Sequence, residues 1–432
     1  MMTKFLKAVL ICLVLCCFTA YSQDNLVANK SATKIINKLV KNKSVKLALQ
    51  TIDNTDKQTI ADMILLTEIP APPFKEANRA KKFAEMFTEI GVDSVWTDKE
   101  GNVLALRKGQ KRDKTIVLDA HMDTVFPIET DVTVKVEGNT YTAPGIGDNT
   151  RGMALILAVL RAMNTAQIKT DADIVFVGTV GEEGLGDLRG VKYLFSDESD
   201  LKIDAWISVD GGSPGRIING GLGSKRYKAV FSGKGGHSWG SFGLANPHHA
   251  LGKAITIFTE NASEYISHEG EKTSFNIGRI GGGTSVNSIP FESWMEVDMR
   301  SLSQKRLSEM DSIFKTSMKQ AETLYNATNI EDKVTLKLIS IGDRPSGKLS
   351  ENEPLIQLAI AANVAMGISP FLTTSSTNGN IPIAKNIPAI TLSKGGKGRR
   401  AHSLDENWTN FEGTKNIKTA FLITLSQAGF VK

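Results

Sequence analysis

Carboxylates and imidazoles recur in this chain where hydrophobic runs stop. His121-Met122-Asp123 follows TIVLDA, Glu182-Glu183 follows IVFVGTV, and Asp210 closes AWISV before Gly211-Gly212. Asp148 stands after a Gly-rich turn, and His402 comes far downstream in Ala401-His402-Ser403. Groups at the carboxyl ends of strands in an α/β protein converge on one crevice. Two imidazoles, two separate Asp and a paired Glu suit zinc or a similar divalent ion.

Each motif alone has an ordinary reading. His121 could be a surface histidine, yet at a strand end one ring nitrogen can reach a metal while Asp123 holds the other N–H and fixes the tautomer. Asp148, just before the helical run 153–161, could be a helix N-cap; equally, a single carboxylate can bridge two ions. Adjacent Glu182 and Glu183 at a buried strand end repel one another unless a cation or proton neutralises them. A division of labour resolves this, with one acid ligating and the other taking a proton from water. Asp210 repeats the lone acid at a strand end, and His402 follows the Gly-rich run 394–398. Five such coincidences point to one site.

The elements that must carry these residues read as an α/β order. Strands at 115–120, 173–180 and 205–209 alternate with helices at 152–163 and 191–195, which predicts a mixed, mostly parallel sheet flanked by helices. Before them, 55–67 and 77–90 read as helices, and 94–97 with 103–107 as strands. After Asp210 the texture changes to strand, helix, two strands, helix, strand between about 225 and 341. That order predicts an inserted α+β unit of ferredoxin-like layout. The expected divisions are a catalytic domain over 55–216 and 346–432, and a lid over 217–345. Residues 23–54, rich in Lys, Asn and Ser, read as an ill-ordered leader or short helices.

The chain's 432 residues, 41% hydrophobic, are enough for two cores. Net charge is +5, and lower without Lys4 and Lys7, which gives no argument for nucleic acid. Lys4, Lys7, the apolar run 8–20 and Ala20-Tyr21-Ser22 read as an export signal over 1–22, too short for a membrane span. A membrane anchor or lipoprotein is the alternative. All three cysteines, Cys12, Cys16 and Cys17, lie inside that segment. The mature chain would have neither disulfides nor thiolate ligands.

Together the motifs over residues 55–430 resemble the zinc-dependent M20 peptidases, a family of carboxypeptidases, di- and tripeptidases and N-acyl-amino-acid deacylases. The resemblance implies two divalent ions, zinc foremost, with cobalt or manganese as alternatives. It implies that His121 and Asp210 bind one ion, Glu183 and His402 the other, and that Asp148 bridges them. Glu182 would be the general base and Asp123 the partner of His121. In the lid, Gly233-Lys-Gly-Gly-His237 resembles the loop whose imidazole steadies the oxyanion, and Asn287 and Arg300 resemble groups that hold substrate. The lid implies a possible homodimer.

Two departures stand out. Asn378 stands where the family often has Asp, near the expected substrate pocket. Lys397, Arg399 and Arg400 crowd the approach to His402, which suggests substrates with a free carboxylate or acidic side chain. The expected activity is hydrolysis of short peptides by an exopeptidase. The alternatives are deacylation of N-acyl amino acids and, in another class, a secreted peptide-binding protein with an inactive metal site.

Overall fold

The computed structural model describes residues 26–328 and 332–431. The export signal expected over 1–22 lies outside the described residues. No described helix is long and apolar enough to cross a membrane.

A nine-stranded sheet forms the body. Its order is Ser94–Thr97, Val103–Arg107, Asp173–Thr179, Thr115–His121, Ala205–Asp210, Ala389–Ser393, Arg216–Gly221 and Gly347–Lys348, with Phe371–Ser375 also paired to Arg216–Gly221. The four strands from Asp173–Thr179 to Ala389–Ser393 run parallel. The neighbours on either side of those four pair antiparallel. The sheet is thus mixed, with its parallel part at the centre. Asp173–Thr179 and Ala389–Ser393 are buried along their whole length. Strands covered on both faces need continuous apolar runs, and these have them.

Helix Arg151–Thr165 is buried over most of its length. Against it pack helices Lys43–Asn54, Asp56–Thr67 and Gly413–Ala428. The stretch read as a leader contains helices Lys30–Lys41 and Lys43–Asn54, whose Ala32, Ile36, Leu39, Val45, Ala48 and Ile52 join the main core. Spacings of three and four residues put those side chains on one face of each helix. Asn42 ends one helix and caps the next, accepting from Ser44 N at 2.9 Å.

A second sheet has the order Thr273–Gly282, Glu292–Ser301, Gly223–Ser232, Thr335–Arg344, all antiparallel. Helices Pro247–Ser267 and Gln304–Thr328 pack against it. With the chain order strand, helix, two strands, helix, strand, this is the ferredoxin-like layout. Glu292–Ser301 alternates strictly between half-buried and buried, the sign of one helix-covered face. The insertion was expected from 217, but Arg216–Gly221 pairs within the large sheet, so the chain leaves the body only after Gly221. It returns at Gly347, which pairs with Gly221, so exit and entry lie side by side. Asn380 Nδ2 ties them, donating to Leu222 O at 2.9 Å and Pro345 O at 3.0 Å.

Candidate metal centre

The candidate ligands come from strand ends and from two loops. His121 and Asp210 end neighbouring parallel strands of the sheet. Glu182 and Glu183 follow the strand between Val103–Arg107 and Thr115–His121. Asp148 sits in the turn before helix Arg151–Thr165, and its peptide bond to Asn149 is cis. His402 lies in the loop between the paired strands Lys397–Arg399 and Asn407–Thr409. That hairpin extends a small sheet with Thr140–Thr142 and Lys135–Glu137. Its anchor is Trp408, fully buried, with Nε1 donating to Gly395 O at 2.7 Å and the Arg151 guanidinium 4.4 Å from its ring.

These elements bring the five predicted ligands together. His121 Nε2 is 3.1 Å from Asp148 Oδ1 and 3.9 Å from Asp210 Oδ1. His402 Nε2 is 3.1 Å from Glu183 Oε1 and 3.5 Å from Asp148 Oδ2. Asp148 therefore spans the two imidazoles, one oxygen toward each. Ligand atoms of His121, Asp148 and Asp210 lie within 4.8 Å of one another, as do those of Asp148, Glu183 and His402 and those of His121, Glu182 and Glu183.

Asp123 differs in detail from expectation. His121 Nδ1 is nearer the Asp123 backbone oxygen, at 3.0 Å, than its carboxylate, at 3.6 Å. The carboxylate accepts from the backbone N–H of Glu182 at 2.9 Å and of Glu183 at 2.7 Å. It thus fixes the loop that carries both acids.

The electrostatics fit a cation. Burial pushes the Glu182 carboxyl well up; Arg344 opposes this and Glu183 adds to it. Burial and Asp148 also raise Glu183, against the hydrogen bond from His402. Burial would lower His121, but Asp123, Asp148 and Asp210 outweigh it and hold the imidazole well above its ordinary value. Asp148 and Glu183 raise His402 to about 10. Burial alone would raise Asp148, yet both imidazoles and Lys394 hold it well below the carboxylate range. Protons here stand in for missing positive charge. Divalent ions would supply that charge to oxygen and imidazole donors, the set that suits zinc.

Three residues expected at the substrate do not contact this cluster. His237 is exposed on a two-stranded ribbon, its Nδ1 accepting from the backbone N–H of Trp239 and Gly240, each at 3.2 Å. Asn287 immediately precedes the ribbon's second strand, its backbone oxygen accepting from Ser238 N at 3.0 Å. Arg300 pairs with Asp298 at 2.7 Å, and Asp298 also holds Arg226. Asn378 is buried behind the cluster instead of facing substrate: its Nδ2 donates to Asp119 Oδ2 and Thr179 Oγ1, both at 2.7 Å. An amide engaged by Asp119 and Thr179 from within the core has no donor left for a ligand.

The structure adds three residues. Asp119 lies under His121 and accepts from Ser208 and Asn378. Arg344, from the inserted unit, is buried against Glu182 Oε1 at 3.2 Å and also donates to the Glu182 backbone oxygen. Glu406 is buried and accepts from Gly147 N and Asp148 N, each at 2.8 Å.

A parallel-centred α/β sheet with acids and imidazoles gathered at its strand ends defines a metal-dependent hydrolase. The chain belongs to peptidase family M20/M25/M40, whose profile matches residues 117–422. It is 25% identical over 358 residues to the uncharacterized protein YqjE of Bacillus subtilis, covering 79% of this chain and 91% of that one. A tripeptidase from Staphylococcus aureus superposes with TM-score 0.66 at 22% identity, over 86% of this chain and 98% of the other. The metallo-carboxypeptidase Sso-CP2 from Sulfolobus solfataricus superposes with TM-score 0.69 at 15% identity, over 85% and 99%.

Proposed function

We propose that this protein is an exported exopeptidase that hydrolyses short peptides, with two zinc ions and Glu182 as general base. The reading rests on the convergence of His121, Asp148, Glu183, Asp210 and His402 around one crevice, with Glu182 beside them. When bound, the ions would acidify a water and polarise the scissile carbonyl. The residues do the rest. His121 and Asp210 would hold one ion and Glu183 and His402 the other, with Asp148 between them. Asp123 orients His121 and the 182–183 loop. Glu182, with its proton affinity raised by burial, accepts a proton from water and returns it to the leaving amine. The family resemblance gives His237, exposed on the inserted unit away from the cluster, the role of donor to the developing oxyanion. Export is supported by Lys4 and Lys7 before the apolar run 8–20.

The test is Glu182→Gln on metal-loaded protein. Metal content stays at the wild-type level while kcat on di- and tripeptides falls about a hundredfold or more. Near-normal turnover would refute the assignment. The same panel, extended to acylated amino acids and run with and without chelator, separates peptidase from deacylase.

A further inference from the structure

The stretch read as a leader holds the chain's positive charge. Between Asp24 and Asp53 there is no acid, and there are six lysines: Lys30, Lys34, Lys38, Lys41, Lys43 and Lys46. They carry more than the whole net charge of +5, so the rest of the molecule is close to neutral. All six are exposed, and none makes a side-chain hydrogen bond or ion pair among the described residues. Asp53, the next acid along the chain, is paired with Lys418.

Helix Lys30–Lys41 sets four of them in a row. Lys30, Lys34, Lys38 and Lys41 follow one another at spacings of three and four residues and so share one face. Like charges at that spacing destabilise an isolated helix. This one holds because Ala32, Ile36 and Leu39, on its other face, are buried in the main core. The fold thus presents a fixed row of ammonium groups to solvent, with no anion of its own against them.

An apolar cavity of about 530 Å³ adjoins that row. Thr33 and Asn37, each three residues on from a lysine of the row, form one wall, and Ala361, Val364 and Ile368 form another. No charged residue lines it. Val27 and Val364 stand at it 80% and 55% exposed, and Ile35 is exposed on the helix as well. Cations beside open apolar surface match an anionic bilayer, where ammonium groups meet phosphates and apolar groups meet acyl chains. A second copy of the same face would be repelled. Residues 26–54 contain no arginine and no aromatic side chain, the groups that stack on bases, which argues against a nucleic acid.

We propose that the lysine face of helix Lys30–Lys41 docks the protein on an anionic phospholipid bilayer, with the adjoining cavity receiving an acyl chain. The contact is peripheral, because the apolar stripe of the helix is already used by the core. It is independent of the hydrolase reading.

Vesicle flotation tests this on the chain from Gln23 onward, which keeps every described residue. Phosphatidylcholine vesicles containing phosphatidylglycerol should carry the protein, and phosphatidylcholine alone should not. Salt at about 1 M, where screening acts within about 3 Å, should release it. Lys30→Gln, Lys34→Gln, Lys38→Gln and Lys41→Gln should each weaken partition about fivefold, and together about a hundredfold or more. Glutamine is a good helix former, so the fold should persist; should the fourfold variant lose stability, the single changes decide. Val364→Gln, at the cavity and off the lysine face, should weaken partition severalfold at unchanged salt dependence. Equal partition on neutral and anionic vesicles, no partition on either, or partition unmoved by the lysine or Val364 changes overturns the proposal. Binding to polyphosphate without binding to vesicles overturns it in favour of a soluble polyanion.

Discussion

Asp119 precedes His121 by two residues on a strand, so both side chains point to the same face. Burial pushes its carboxyl up from 3.8 to about 7, against hydrogen bonds from Ser208 and Asn378. The sign follows from linkage: an acid raised in the folded state stabilises while protonated. Its contribution is complete below the unfolded value and is lost as pH rises through about 7. Asp119→Asn keeps the shape and cannot ionise. Melting temperatures of the metal-stripped variant should therefore fall less steeply between about pH 4 and about pH 7 than those of the wild type. An unchanged slope would show that Asp119 is not the titrating group. Asp119 went unread in the sequence, although an acid inside an apolar strand, in phase with a candidate ligand, is a local signal for it. Arg344 and Glu406 have no such signal, because their partners are 162 and 259 residues away and nothing local marks them.

Elements with a strong local period were readable, and those defined by distant pairing were not. Helix Ala77–Ile90 and strands Val103–Arg107 and Glu292–Ser301 follow from their own spacing of apolar residues. Strand Phe371–Ser375 is half-buried throughout and pairs only with Arg216–Gly221, so it carries neither alternation nor an apolar run. The hairpin that carries His402 is likewise set by Thr140–Thr142, far upstream. Helices Lys30–Lys41 and Lys43–Asn54 hide a clean apolar stripe among Lys and Asn. Their role in the core is testable at Ile52, which is fully buried. Ile52→Ala should destabilise the protein by about 2–5 kcal/mol in urea unfolding. A loss under about 1 kcal/mol would mean that this helix is a detachable appendage.

At the scale of the molecule, the centre joins the body, a late hairpin and the inserted unit. His121 and Asp210 lie on central strands, His402 on a late hairpin, and Arg344 reaches Glu182 from the inserted unit. A cation held there binds only the folded protein and must stabilise it as a whole. Without the ion, His402 is held up to about 10 by Asp148 and Glu183, and His121 is raised as well. The ion pairs of His402 contribute fully below an imidazole's unfolded value of 6.5 and are lost as pH rises through about 10, and those of His121 are lost in the same direction above its raised value. Metal binding must expel the same protons. Loading should therefore raise the melting temperature strongly near about pH 8 and progressively less toward about pH 5. Titrating metal into stripped protein in two buffers of different ionisation enthalpy counts the protons released. Metal uptake with no proton release, or a gain in melting temperature independent of pH, would contradict ligation by His121 and His402.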